Sequence, residues 1–70
     1  MSQLQKLRKW ADYKGLEIET SNRDGTWFMR VVLRAPVKFT AQSGWEPTPD
    51  AAATKVIEQL EQVGEELDVV

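Results

Sequence analysis

The side chains best suited to catalysis at neutral pH are missing from this chain of 70 residues, which contains neither histidine nor cysteine. Their absence removes the commonest acid/base group, the thiolate nucleophile and the usual ligands of structural zinc. Carboxylates, lysines, hydroxyls and one tyrosine remain, and the pair Asp24 and Glu46 offers no evident catalytic geometry. The sequence also has no phosphate-binding loop, nucleotide fingerprint or metal-ligand spacing. We therefore expect a protein without enzymatic activity, metal ion or cofactor.

Charge is the chemistry that the chain does offer, and it is divided unevenly along the sequence. Residues 1–38 contain eight Lys or Arg and four Asp or Glu, whereas residues 39–70 contain one Lys and seven Asp or Glu. The overall charge of −2 therefore hides a basic part and an acidic part. Such an asymmetry bears on the choice of partners rather than on the fold.

The acidic part supplies the first candidate protein-binding surface, on the outer side of a predicted second helix. Its carboxylates lie at helical spacing and are Asp50, Glu58, Glu61 and Glu65. Helical rise separates successive carboxylates by about 5–6 Å, which is close to the phosphate spacing along a nucleic-acid strand. The ridge therefore either docks on a basic partner or serves only to keep the surface solvated.

Apolar side chains in polar surroundings supply further protein-binding candidates. Phe28 and Val32 fall on the polar face of a predicted strand, where they indicate a docking surface or a dimer contact. Trp45 lies in the loop Gly44–Pro47. It either folds back on the core beside the second helix, which is the favoured interpretation, or is exposed as an aromatic anchor of the type found at interface hot spots.

Basic and aromatic side chains in the first part of the chain define the alternative function, binding of RNA or DNA. The candidate residues are Lys6, Lys9, Tyr13, Arg23, Arg30 and Lys38. Lysine and arginine would neutralise phosphates, and an aromatic ring would stack on a base. The competing interpretation is a solvated helix face, with sheet arginines that pair across strands with Glu17 and Glu19 for about 0.2–1 kcal/mol each.

The elements that must position these side chains follow from periodicity and local signals. Ser2 and Gln5 form a capping-box pattern, and Gly15 suits a left-handed helix end followed by an apolar contact from Leu16. Asp24-Gly25 is a hairpin signal, and Thr48-Pro49-Asp50 is a strong helix start. The predicted elements are a helix over 2–14, strands over 16–20, 26–34 and 37–41, and a helix from 49 to 63–66.

This order predicts a single α+β domain over 1–66, with a frayed tail over 67–70. Three strands cannot enclose a core, so both helices must cover one face of an antiparallel sheet. Trp10 is expected at the edge of the core, whose predicted members are Leu4, Leu7, Ala11, Leu16, Ile18, Trp27, Met29, Val31, Leu33, Val37, Phe39, Val56, Leu60 and Val63. No apolar run approaches the ~20 residues that span a bilayer, and no signal peptide is evident, so we expect a cytoplasmic protein.

The α-β-β-β-α order resembles the double-stranded-RNA-binding-domain fold. The best local match runs from the strand Phe39–Ala41 through Gly44 to the helix start Thr48–Ala53. The family has there a Ser/Thr cap and a Lys-Lys-x-Ala-Lys run that straddles phosphates. Here Thr48 matches the cap and Ala52 the alanine, while the lysine positions hold Pro49, Asp50 and Ala53. The resemblance thus implies the fold, without the RNA-binding lysines and without the Gly-Pro-x-His loop.

Two toxin–antitoxin families share parts of this plan. The start Thr48–Ala52 is similar to the Gly-x-Thr-x-x-Glu-Ala helix start of HicB antitoxins. HicA toxins resemble the chain in element order, but this sequence has Gly25-Thr26-Trp27 in place of their Gly-Ser-His. The missing catalytic histidine argues against a nuclease and leaves an antitoxin-like partner of a small toxin as a second alternative.

Small size, acidity and the lack of catalytic groups together favour recognition of another protein. By analogy they resemble a phage or mobile-element accessory protein, an inhibitor that binds and modulates a host protein. We expect it to act as a monomer or a weak homodimer.

Overall fold

The structure, a computed structural model, describes residues 2–35 and 37–67. Over these residues the chain forms helix α1 (Gln3–Lys14), strands β1 (Ile18–Arg23), β2 (Thr26–Leu33) and β3 (Phe39–Gln42), and helix α2 (Pro49–Gln62). The predicted α+β class and the α-β-β-β-α order are confirmed. Within the described ranges, no helix is long and apolar enough to cross a membrane.

The strands form an antiparallel meander in the order β1-β2-β3. Asp24 and Gly25 make the tight connection between β1 and β2, with φ angles of 50° and 78°. Two positive φ angles define a type I′ turn, whose twist matches that of the flanking strands. The turn places Arg23 opposite Thr26, and the regular register that follows pairs Ile18 with Val31.

Local signals in the sequence set the ends of both helices as predicted. Ser2 and Gln5 form a reciprocal capping box at the start of α1. Gly15 adopts a left-handed φ of 71°, and the amide of Leu16 donates to the Ala11 carbonyl at 2.8 Å to close that end. The Thr48 hydroxyl accepts the Ala51 amide at 3.0 Å at the start of α2.

The two helices run parallel to each other on one face of the sheet. Their N-terminal ends meet where Asp50 of α2 accepts the Leu4 amide of α1. Their C-terminal ends meet where Lys14 of α1 pairs with Glu65, just beyond α2. Helix α2 packs on β2 and β3, and α1 packs beside α2. Two layers result, with one covered and one uncovered face of the sheet.

The core between these layers contains most of the predicted residues. Its buried members are Leu7, Trp10, Ala11, Met29, Val31, Leu33, Ala41, Ala52, Ala53, Val56, Ile57, Leu60 and Leu67. The remaining apolar inward positions of the sheet, Ile18, Trp27 and Phe39, are partly buried against this cluster.

Three of the core predictions are wrong. Val37 is 68% exposed because it lies in the β2–β3 connection before β3 begins, where strand alternation does not apply. Val63 is 45% exposed because α2 ends at Gln62. Trp10 is fully buried rather than at the edge of the core, and among the described residues its indole Nε1 has no hydrogen-bond partner.

The chain after α2 contributes to the core. Gly64 has a φ of 91°, and the Glu65 amide donates to the Leu60 carbonyl at 3.0 Å, so the helix ends in a reversal of direction. Leu67 then returns to the core and is 2% exposed. The prediction of a frayed tail from residue 67 is therefore wrong at Leu67. Its remaining part, residues 68–70, lies outside the described residues.

Replacing the Leu67 side chain tests the importance of this last core contact. We expect Leu67→Ala to lower the free energy of unfolding by about 2–5 kcal/mol, because it removes buried apolar atoms and leaves a cavity. The neighbouring exposed residue provides a matched control, since Glu66→Ala should change stability by less than about 0.5 kcal/mol. Urea denaturation followed by circular dichroism measures both values, and equal, small effects would contradict the packed position of Leu67.

Candidate functional site

The uncovered side of the sheet, called here the free sheet face, carries the outward side chains of all three strands. Strand register places Arg30 of β2 between Glu19 of β1 and Gln42 of β3. Val32 lies beside Thr40, and Phe28 lies one step from Arg30 toward the hairpin. The predicted position of Phe28 and Val32 on the outer face of the sheet is confirmed.

A bulge after β3 determines where Trp45 lies. The ladder that pairs Arg30 with Gln42 continues through the Ser43 amide, which donates to the Met29 carbonyl at 2.9 Å. Trp27 then pairs with Glu46, one residue later than an unbroken ladder would require. One extra residue on one strand is the definition of a β-bulge, and it changes which face the following side chains occupy.

The bulge places the Trp45 ring against Phe28 on the free sheet face. The ring centroids are 5.6 Å apart and the planes are tilted by 40°. Trp45 remains 47% exposed, while Phe28 is partly buried. The favoured prediction, that Trp45 folds back on the core beside the second helix, is wrong, because the predicted loop continues the ladder beside β2 through a bulge that turns Trp45 toward Phe28. The alternative, an exposed aromatic side chain, agrees with the structure.

Hydrogen bonds on both sides of the bulge hold this loop in place. The buried Ser43 hydroxyl accepts the Met29 amide at 2.9 Å and donates to the Gly44 carbonyl at 2.8 Å. Trp27 and Glu46 exchange two backbone hydrogen bonds of 2.7 and 2.8 Å. Ser43 is thus a supporting residue that sequence reasoning missed, since a serine in a polar loop carries no distinguishing signal. Trp45 therefore stands on an anchored backbone.

An ion pair occupies the middle of the free sheet face. The Arg30 guanidinium contacts the Glu19 carboxylate, with an Nε to Oε2 distance of 2.6 Å and a second contact through Nη2. The predicted cross-strand pairing is confirmed for Glu19 but not for Glu17, which forms no ion pair among the described residues. The exposure of the Arg30–Glu19 pair limits its value to about 0.2–1 kcal/mol. A hollow of about 390 Å³ adjoins it, lined among others by Glu17, Val32 and Arg34.

The predicted acidic ridge on α2 is smaller than the sequence suggests. The Asp50 carboxylate is partly buried and accepts the amides of Leu4 at 3.0 Å and Gln3 at 3.3 Å. Glu65 pairs with Lys14 at 3.3 Å, and its side chain is only 10% exposed. Both carboxylates face α1 rather than solvent, because the helices are parallel and their ends adjoin. This corrects the outward placement of Asp50 and Glu65.

Two members of the ridge keep the predicted exposure. Glu58 and Glu61 are exposed on α2, and Lys55 is exposed one helical turn before Glu58. This acidic surface belongs to the helical layer, whereas Phe28 and Trp45 belong to the free sheet face. The structure therefore separates the two candidate protein-binding surfaces.

The candidate nucleic-acid residues are also dispersed. Lys9 and Tyr13 are exposed on α1, in the helical layer, and Lys6 on the same helix is partly buried. Arg30 lies on the free sheet face, where Glu19 already pairs with it. The other two basic candidates are exposed: Arg23 lies at the end of β1, on the same face of the sheet as Arg30, and Lys38 lies in the connection before β3. The structure does not bring these six residues into one surface.

Comparisons with known proteins do not assign the chain to a family. No family model, curated protein or solved structure matches it. The α-β-β-β-α order with a three-stranded antiparallel sheet over the described residues is compatible with a double-stranded-RNA-binding-domain-like fold. Residues 2–35 and 37–67 contain no group of three or more side chains that could hold a metal ion.

Substitution of Asp50 tests whether this residue ties the helices together. We expect Asp50→Ala to lower the free energy of unfolding by about 1–2 kcal/mol, because two amides at the N-terminus of α1 lose their acceptor. The matched control is Glu58→Ala on the same helix, which should cost less than about 0.5 kcal/mol. Chemical denaturation of both variants decides the question, and an Asp50→Ala variant as stable as the control would show that the cap has no energetic role.

Proposed function

We propose that this chain is a non-catalytic protein-binding module whose contact surface is the free sheet face. The observation that carries the proposal is the pair of Phe28 and Trp45, held half-exposed on an anchored bulge. Aromatic residues with a fixed backbone are enriched at interface hot spots, since they bury large area at little cost in conformational entropy. Val32 adds an apolar side chain further along the same strand, beyond the Arg30–Glu19 ion pair.

The charges around this pair favour a protein partner over a nucleic acid. Glu17 and Glu19 lie on the same face of the sheet as Arg30, and Glu19 pairs with that arginine. Carboxylates in such positions repel phosphates, whereas a protein surface can complement both signs of charge. Lys9 and Tyr13 belong to the other layer and would not contact a strand that stacks on Trp45.

The acidic residues Glu58 and Glu61 form a separate, secondary contact region in this proposal. Because they lie in the helical layer, one flat partner surface cannot cover them and Trp45 together. A partner that needs both surfaces must wrap around the domain. We therefore assign the main contact to the aromatic pair and treat the charge of α2 as an aid to solubility and to the steering of encounters.

The biological setting that we propose is modulation of a host protein by a small accessory protein, of the kind that phages and mobile elements encode. The absence of histidine and cysteine supports a role in recognition rather than in reaction. An antitoxin-like pairing with a small toxin is the narrower version of this proposal. It rests on the helix start at Thr48–Ala52, which is similar to that of HicB antitoxins.

Affinity capture from the native host, with two matched double variants, tests the proposal. We expect wild-type protein to retain a host protein and Phe28→Ser/Trp45→Ser to lose it, because the variant removes the aromatic anchor. Hot-spot truncations cost at least about 2 kcal/mol, or roughly thirtyfold in affinity. The control Glu58→Lys/Glu61→Lys changes the other layer and should retain the same protein. Mass spectrometry identifies the captured species, and circular dichroism confirms that both variants fold.

The opposite pattern would relocate the interface. Loss of capture in the glutamate variant alone would assign binding to α2. Retention that disappears on nuclease treatment would indicate a nucleic acid.

Salt dependence provides an independent test of the nucleic-acid alternative. We expect no gel shift of short single-stranded or double-stranded RNA or DNA at low salt, since the basic candidates do not form one surface. A shift that weakens steeply with salt and is lost in Lys6→Glu/Lys9→Glu would contradict this expectation and place the site on α1.

A further inference from the structure

The two edges of the sheet differ in how they are protected. On β3, the Gln59 side chain of α2 covers the backbone of Gln42, because its amide accepts the Gln42 amide at 3.0 Å and donates to the Gln42 carbonyl at 2.6 Å. This side chain imitates the peptide group of a neighbouring strand. On β1, no strand in the described part of the chain pairs with the outer edge.

Hairpin geometry identifies the backbone groups that β1 leaves open. In a two-residue hairpin the flanking residues Arg23 and Thr26 form a hydrogen-bonded pair, and such pairs alternate along an antiparallel ladder. The odd-numbered residues of β1 therefore direct their N–H and C=O groups toward β2. The even-numbered residues Ile18, Thr20 and Asn22 direct theirs outward. The same alternation explains why Trp27 and Met29 of β2 bond toward the β3 side.

Strand β1 lacks three of the features that usually protect an edge, namely proline, lysine and a bulge. It contains neither Pro nor Lys, and its register with β2 from Ile18 to Arg23 is regular, without a bulge. Its six residues are exposed except for Ile18, which is partly buried. An edge of this kind is a template for another strand, whether from a partner or from a second copy.

We propose that β1 pairs antiparallel with β1 of a second copy, around a two-fold axis at Thr20. This register brings outward-directed groups together, since it pairs Thr20 with the second copy's Thr20 and Ile18 with the second copy's Asn22. The result is a continuous six-stranded sheet. Its helices all lie on one side, because the axis is perpendicular to the sheet.

Charge complementarity identifies a second copy, rather than an unrelated peptide, as the occupant. The same register places Glu17 opposite the second copy's Arg23, and the symmetry repeats this pair at the other end. Both side chains are exposed, and neither forms an ion pair within the described residues. Moving the register by two residues either way removes hydrogen-bonded pairs, so the backbone favours this alignment, and only this alignment engages Glu17, since Glu19 already pairs with Arg30.

Dimerisation through β1 does not depend on the proposed function, but it would affect how a partner binds. Because the axis is perpendicular to the sheet, the two copies of Phe28 and Trp45 lie on the same free face of the extended sheet. A partner with repeated contacts would then bind both copies and gain affinity from the effective concentration.

Sedimentation equilibrium of the full chain over a wide concentration range tests the dimer. We expect wild-type protein to shift from monomer to twice that mass, and Thr20→Pro to stay monomeric, because proline removes an outward N–H without breaking a bond to β2. Circular dichroism checks that the variant folds. The matched control is Trp45→Ala, which leaves the edge intact and should dimerise as the wild type does.

Charge reversal tests the register even if the proline variant fails to fold. Arg23→Glu and Glu17→Arg should each weaken dimerisation by about tenfold, because each places like charges opposite one another. The double variant restores opposite charges at both ends and should recover wild-type affinity. A wild-type chain that stays monomeric at the highest concentration overturns the proposal. So does a dimer that persists in Thr20→Pro or is lost in Trp45→Ala.

Discussion

Burial on one side only is the constraint on which the rest of this structure depends. Two helices and three strands in a chain of 70 residues form two layers, and only one face of the sheet receives cover. The buried apolar side chains lie on the covered side, from Leu7 of α1 to Leu67 beyond α2. Whatever lies on the opposite face meets solvent or a partner. An aromatic pair held there by a bulge is a feature that core packing does not require.

The parallel arrangement of the helices determines which charged side chains form contacts within the domain. Parallel dipoles place two partially positive N-termini side by side, and Asp50 serves both of them from the first turn of α2. At the other end, the Lys14–Glu65 pair joins the two C-termini. Part of the charge asymmetry seen in the sequence is thus used within the domain. The acidic residues left for recognition are fewer than the composition implies.

The correct parts of the fold prediction came from local sequence signals, and its errors came from contacts between residues far apart in the sequence. The capping box, the left-handed Gly15 and the Asp24-Gly25 turn depend on neighbours in sequence, so their structures follow from residue types. The positions of Trp10 and Trp45 depend on packing between distant elements and on a one-residue change of ladder register. Trp45 lies in a predicted loop whose residue types assign its side chain to no face, and the bulge that fixes the face has no signal in the sequence. The role of Asp50 was also missed because its hydrogen-bond partners are 46 and 47 residues away in the sequence.

The unequal treatment of the sheet edges connects the fold to its proposed role. An unprotected strand edge is an aggregation hazard, and proteins that remain soluble cover it, interrupt it or use it. Here the Gln59 side chain of α2 satisfies the outward backbone groups of Gln42 on one edge. The open edge of β1 follows Glu17 and ends at Arg23, two charges that the proposed two-fold pairing brings opposite one another. Pairing through β1 would satisfy the open backbone groups of this edge and leave Phe28 and Trp45 exposed. Self-association and recognition of a partner would therefore use different surfaces.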